Sequence, residues 1–470
     1  KLLKKIMISF SAAVVGFVIF LGMLFLAIPV ALSIFFTCFL AAVIYVGLPS
    51  LVTFGSTAWS TLNNFILTAI PLFILLGELL IKSSITDRMY NSLSKLITFL
   101  PGKLFHTNIL ASGLFASVSG SSVATTATIG TIALPELSKR KYDERMNLGS
   151  IAAGATLGIL IPPSINMIIY GSMTNTSIGN LFIAGFIPGV LLMVLFMSYI
   201  IIRTKINPSL AGESMGENTL KEKFFMLLDL LPPLFIFLLV MGSIYLGYAT
   251  PTESASMGVV GAFLLLLLYN KFSFKVLHEA FMSTVKITSM IIFIMLCAQF
   301  FNFIIGMLGL PKVLVEQISL MTTNKYILLI TLIIFYMILG CFLETLSMMI
   351  ATVPIIIPLI LFYGIDPVWF GIFFVLIMQI SLITPPVGMN LYVLQGLREK
   401  GKITDKGRTN TLLTYSYCIG AMLGRLSVGT YVFGYHRNQG IYPMEHNMIK
   451  PTFPLLEANL DTVLEKDISE

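Results

Sequence analysis

The chain has 470 residues, 57% of them hydrophobic and only 11% charged, with a mean hydropathy of +0.93. A soluble domain holds about 45–50% apolar and about 25% charged residues, so no soluble core could hide this excess. The net charge of +7 comes from short basic clusters between apolar runs, which excludes a continuous nucleic-acid-binding face, and four scattered cysteines exclude a secreted disulfide scaffold. The many Phe, Gly and Met residues suit packed helices and not the alternating strands of a barrel. The composition predicts an all-α polytopic membrane protein.

A spanning helix needs about 20 mostly apolar residues. Residues 6–48 form a run twice that long, broken at Pro29 into two predicted helices. A span over 65–81 follows. The run over 110–137 is interrupted by Ser119-Gly120-Ser121-Ser122, and the run over 151–170 by Pro162-Pro163. A span over 181–203 leads into a polar connector, 204–224, and three further spans are predicted over 228–248, 254–269 and 284–305. The run over 326–362 is interrupted by Glu344-Thr345 and that over 370–394 by Pro385-Pro386. Beyond residue 404 the chain is atypical. Residues 409–434 are only weakly apolar and contain Arg425, and a polar tail with His436, Glu445 and His446 follows. A wrongly joined reading frame would account for that ending.

The interruptions repeat. The two Pro-Pro pairs lie 223 residues apart, and the same offset sets Pro135 on Pro358, Asp143 on Asp366 and the Ser121-Ser122 break on Glu344-Thr345. This agreement predicts an internal duplication. Its orientation follows from loop charge: the connector over 138–145 carries Lys139, Arg140, Lys141 and Arg145, whereas its counterpart over 361–367 carries no cation. Basic short loops stay in the cytoplasm, so the copies are inverted. Threading from there places the other cation-rich loops inside but puts Lys1, Lys4 and Lys5 outside, against the rule.

Non-helical backbone at membrane depth survives only when buried in protein or lining a cavity, so four breaks point to one internal site. Inverted, discontinuous segments are the architecture of a secondary transporter. A broken helix offers free carbonyls to a cation, and its half-helix N-terminus attracts an anion. Ser119, Ser121, Ser122, Thr125, Thr126, Ser164 and Thr384 add hydroxyl oxygens suited to a hard cation such as Na⁺. Alone, each such residue is a packing group; clustered at four breaks, they read as a site. Three acids lie in apolar surroundings. Glu78 is expected to pair with Lys82 one turn on, Glu253 to cap the following helix, and Glu344 to bind a cation, to serve as a protonatable group or to cap its half-hairpin. Gly212-Glu213-Ser214-Met215-Gly216 matches a nucleophile-elbow pattern but has no flanking strand, and there is no nucleotide or metal motif. The chain reads as no enzyme, and an ion gradient must supply the energy. An ion channel, or an uncoupled structural subunit, is the alternative.

Gly77-Glu78-Leu79, Ser119-Gly120-Ser121-Ser122-Val123-Ala124, Ile161-Pro162-Pro163-Ser164-Ile165, Thr250-Pro251-Thr252-Glu253 and Thr384-Pro385-Pro386-Val387-Gly388 occur in this order and spacing in one known family. Over residues 6–401 the chain resembles the large membrane subunit of the tripartite ATP-independent periplasmic (TRAP) transporters. The resemblance implies an elevator-type, Na⁺-coupled importer of a small organic acid anion (a C4-dicarboxylate, sialic acid or another sugar acid) in the bacterial inner membrane. It implies two partners, a small four-helix membrane subunit and a soluble periplasmic binding protein, with membrane lipid around them and no cofactor beyond Na⁺ as coupling ion. It also implies two re-entrant hairpins and two broken helices. The candidate cation and substrate residues are then Ser119, Ser121, Ser122, Thr125, Pro162, Ser164, Glu344, Thr345, Thr384, Pro385, Gly388 and Asn390. The expected division is a scaffold over 1–64 and 181–283, a transport domain over 65–180 and 284–403, and an atypical segment over 404–470. The family's large subunit starts outside, which eases the N-terminal charge conflict.

Overall fold

A computed structural model describes residues 15–24, 26, 28–213, 222, 226–340, 343–384 and 388–400. The expectations for Pro385 and for residues 404–470 lie outside the described residues. Among the described residues, six helices are long and apolar enough to cross a membrane, including Phe65–Lys82, Ile178–Ile206 and Phe274–Met307. Pro29, extended at φ −52° and ψ 139°, separates Val15–Leu24 from the helix starting at Val30, where the sequence places a break.

The inverted repeat is visible in helix boundaries. In the first copy, Leu104–Ser119 and Ser122–Lys139 pack against each other as the arms of hairpin 1. Broken helix 1 follows as Glu144–Thr156 and Ile165–Thr174. In the second copy, Lys325–Gly340 and Thr345–Phe362 form hairpin 2, and Pro367–Ser381 and Met389–Lys400 form broken helix 2. Ser122–Lys139 and Thr345–Phe362 have the same length, 18 residues, and both ends obey the 223-residue offset. The reason is local chemistry repeated. Asp143 and Asp366 each cap the next helix, their Oδ1 accepting the N–H of Met146 and Trp369 at 2.8 Å. Hairpin 2 doubles back on itself: Tyr336 Oη lies 2.9 Å from Thr352 Oγ1, 16 residues on. Along a straight helix that separation would be about 24 Å.

Two short amphipathic helices, neither a span by itself, are absent from the sequence reading. Ile85–Leu96 and Leu310–Met321, 12 residues each, follow the spans Phe65–Lys82 and Phe274–Met307. Both begin directly after a left-handed residue, Ser84 (φ 60°) and Gly309 (φ 68°). At about 18 Å they cannot cross a bilayer, and Leu310–Met321 turns by 117° into hairpin 2.

Phe65–Lys82 packs on Pro251–Leu268 and Phe274–Met307, and the latter also on Val30–Ala41 and Val52–Leu62 through the edge-on rings of Phe35, Phe54 and Phe300. The expected Glu78–Lys82 pair does not form. Lys82 Nζ reaches Glu279 at 2.6 Å, and Glu78 accepts from the Ser283 hydroxyl at 2.7 Å. Both acid and base are satisfied by the neighbouring helix instead of each other. Glu253 does cap its helix: its carboxylate accepts the Thr250 N–H at 2.8 Å while Thr250 Oγ1 accepts the Glu253 N–H at 3.3 Å.

Candidate functional site

The tip of hairpin 1 is a two-residue turn. Gly120 takes the left-handed conformation (φ 62°), Ser121 is extended, and the Ser121 hydroxyl accepts the Ala124 N–H at 3.3 Å. Thr125 Oγ1 donates to Ser121 O at 2.7 Å and lies 3.2 Å from Ser119 Oγ, so three of the candidate residues meet within one turn.

This tip sits in the gap of broken helix 1. The Ile165 N–H donates to Gly120 O at 3.4 Å, and a Cβ added at Gly120 would stand 2.8 Å from Pro163 O. A Cβ at Gly158 would stand 2.8 Å from the Ser121 carbonyl. Glycine at both positions is what allows the two breaks to touch. Pro162 and Ser164 are buried beneath, with Ser164 Oγ donating to Ile159 O at 2.8 Å.

The second repeat reaches the same tip. Ser122 Oγ lies 2.9 Å from Asn390 Nδ2, whose amide also donates to Ala152 O at 3.4 Å. Asn390 is fully buried. The helices beginning at Ser122, Ile165 and Met389 therefore start within hydrogen-bond reach of one tip, and three positive helix ends converge there.

The remaining described candidates do not gather at this tip through any hydrogen bond among the described residues. Glu344 stands at the N-cap position of Thr345–Phe362 (φ −71°, ψ 152°), and its carboxylate accepts from the Ser347 hydroxyl at 3.3 Å. Thr384 Oγ1 donates to Ile380 O at 2.6 Å, and Gly388 is left-handed (φ 47°). Among the described residues no hydrogen bond joins Glu344 or Thr345 to Thr384 or Gly388.

The hydroxyls share one feature that matters for a hard cation. Thr125, Ser164 and Thr384 each spend their proton on a backbone carbonyl, which leaves oxygen lone pairs pointing elsewhere. Oxygen lone pairs beside helix N-termini can hold Na⁺ and a carboxylate together. Asn166, in the first turn after the first break, is buried and was missed by the sequence reading. Its signal was present: allowing one extra residue, Gly388, in the second break sets Asn166 on Asn390.

A family model described as "Tripartite ATP-independent periplasmic transporter, DctM component" matches residues 17–426. That match runs beyond residue 401, where the sequence resemblance stops, and takes in residues 404–426 of the stretch read as atypical. The sialic acid TRAP transporter large permease protein SiaM of Vibrio cholerae serotype O1 is 34% identical over 378 residues, 79% of this chain and 87% of that protein. The C4-dicarboxylate TRAP transporter large permease protein DctM of Pseudomonas aeruginosa is 33% identical, over 71% of this chain and 78% of its own. The isethionate TRAP transporter permease protein DctMQ of Oleidesulfovibrio alaskensis is 29% identical over 87% of this chain but only 63% of its own. Among solved structures, the Alcanivorax borkumensis YdaH transporter superposes with a TM-score of 0.58 over 84% of this chain and 90% of that one, at 16% identity, a likeness of fold. With its inverted hairpins, its apolar spans and a match over most of its length, the chain belongs to the DctM component family of the tripartite ATP-independent periplasmic transporters.

Proposed function

We propose that this subunit imports a small organic acid anion coupled to Na⁺, receiving it from a soluble periplasmic binding protein and working beside a small four-helix membrane subunit. The chain itself is a multi-pass protein of the bacterial inner membrane and a TRAP transporter large permease. The observation that carries the coupled reading is the meeting of hydroxyl oxygens with three helix N-termini at the hairpin 1 tip. Na⁺ taken by Ser119, Ser121, Thr125 and neighbouring carbonyls would neutralise the oxygens and leave the helix ends to attract an anion. The named substrates of the relatives support the anion: sialic acid, C4-dicarboxylate and isethionate are all acids. The DctMQ relative, longer than this chain, fits a system in which a further membrane part works with the large one.

Transport would follow an elevator, the block over 65–180 and 284–403 carrying the site past a scaffold over 1–64 and 181–283. Proteoliposomes holding the subunit and its cognate partners should accumulate substrate when Na⁺ is outside and should not need ATP. Equal uptake with choline in place of Na⁺ would overturn the coupling.

A further inference from the structure

Asn390 and Asn166 are equivalent residues used differently. Each is the second residue of the helix that follows a break, in Met389–Lys400 and Ile165–Thr174. Each helix packs beside the second arm of the other repeat's hairpin: Met389–Lys400 on Ser122–Lys139, and Ile165–Thr174 on Thr345–Phe362. In each such pair the inverted topology starts both helices at the breaks and runs them toward the same membrane face. Asn390 thus meets Ser122, the first residue of its neighbouring arm, at 2.9 Å. The residue 223 positions after Ser122 is Thr345, also a hydroxyl and also the first residue of its arm.

Yet Asn166 is turned elsewhere. Its amide Nδ2 contacts Met378 Sδ at 3.9 Å, a weak acceptor for a buried N–H. The cause lies in one side chain. Asn390 donates to Ala152 O on the pre-break helix of the first copy, where Ala155 is small. The residue 223 positions after Ala155 is Met378, long and flexible, and fully buried. Hairpin 1 is therefore pinned at its tip by an amide–hydroxyl bond, whereas the matching amide for hairpin 2 is held by a thioether.

We propose that Asn166 is a positioning residue for hairpin 2: when the central site is loaded, its amide takes the Thr345 hydroxyl as Asn390 takes that of Ser122, and Met378 holds it aside until then. The inference rests on the Na⁺-coupled reading, since loading is what drives the exchange. Exchanging a sulfur contact for an amide–hydroxyl bond is favourable by an amount that shifts an equilibrium roughly fivefold.

The test uses paired cysteines in a Cys-free background, bridged by Hg²⁺ in membranes. Asn166→Cys with Thr345→Cys should bridge more in NaCl than in choline chloride, because the loaded site brings the two positions together. The control pair, Ser122→Cys with Asn390→Cys, should bridge alike in both salts. In the otherwise unaltered protein, Asn166→Ala should raise the half-saturating Na⁺ concentration of uptake roughly fivefold and Met378→Ala should lower it, and no change in either would overturn the role. No bridging of the first pair in either salt, while the control bridges, would overturn the proposal. Equal bridging in both salts would overturn it too, because the contact would then be permanent. Uptake by the unaltered protein in the two salts reports separately on the coupling itself: Na⁺-dependent uptake together with either overturning result would remove the Asn166 role and leave the coupled reading standing.

Discussion

Ser121 and Thr384 both stand at breaks, but their hydroxyls have different duties. Ser121 accepts a backbone N–H as a helix cap, while Thr384 donates to the carbonyl one turn back. Ser121→Ala should therefore cost about 1 kcal/mol of stability as well as an oxygen for the cation, and Thr384→Ala should weaken Na⁺ dependence with little change in stability. Thermal unfolding in detergent beside uptake measured against Na⁺ concentration separates the two effects. An unchanged half-saturating Na⁺ concentration in both variants would make these residues packing groups. At this scale the sequence showed what is local. Glu253 was readable as a cap because its partner Thr250 lies three residues away. Glu78 was misread for the same reason: Lys82 is its sequence neighbour, but the groups that satisfy the pair, Ser283 and Glu279, lie about 200 residues on.

The elements repeat because their punctuation repeats. Asp caps, Pro pairs and the breaks at Ser121-Ser122 and Glu344-Thr345 fall at matching positions, so the repeat and its interruptions were legible from offsets, whereas the hairpins and broken helices came with the family resemblance. The amphipathic helices Ile85–Leu96 and Leu310–Met321 were not legible: most of the first is polar, and the second is short, with Lys312, Glu316, Gln317 and Ser319 breaking its apolar run. Nor was the seating of one break inside another, which depends on backbone approach and not on composition. Gly158→Ala would push a Cβ against the Ser121 carbonyl, a contact that no flexible side-chain end can relieve. Expression is expected to fall and uptake by the remaining protein to be lost. Gly242→Ala, in a spanning helix with open space around it, should behave as the parent in both assays. Matching losses in the two variants would mean that glycine acts through helix flexibility and not through the close approach of the breaks.

For the whole molecule, inversion gives one sequence pattern two orientations, and alternating access follows if the hairpin block exchanges sides against a fixed scaffold. The cost of moving charge sets which parts can cross. A cation at the bilayer centre costs about 2.5–3.5 kcal/mol on insertion scales, and the connector between hairpin 1 and broken helix 1 carries Lys139, Arg140, Lys141 and Arg145. Lys141 also reaches Glu213 in the polar connector at 3.4 Å. This face should stay cytoplasmic in every state. The tip, in contrast, carries no charge: Ser122 is 2% exposed and bonded to Asn390. Its access to water should change as the block moves. Single cysteines at Ser122 and Lys141 in a Cys-free background, probed with membrane-impermeant thiol reagents from each side, distinguish the two behaviours. Lys141→Cys should label from the cytoplasmic side alone, with or without Na⁺ and substrate. Ser122→Cys should gain labelling from one side and lose it from the other as those ligands are added. Labelling of Ser122→Cys from one side only, indifferent to both ligands, would describe a static pore, and the inverted repeat would then serve architecture without motion.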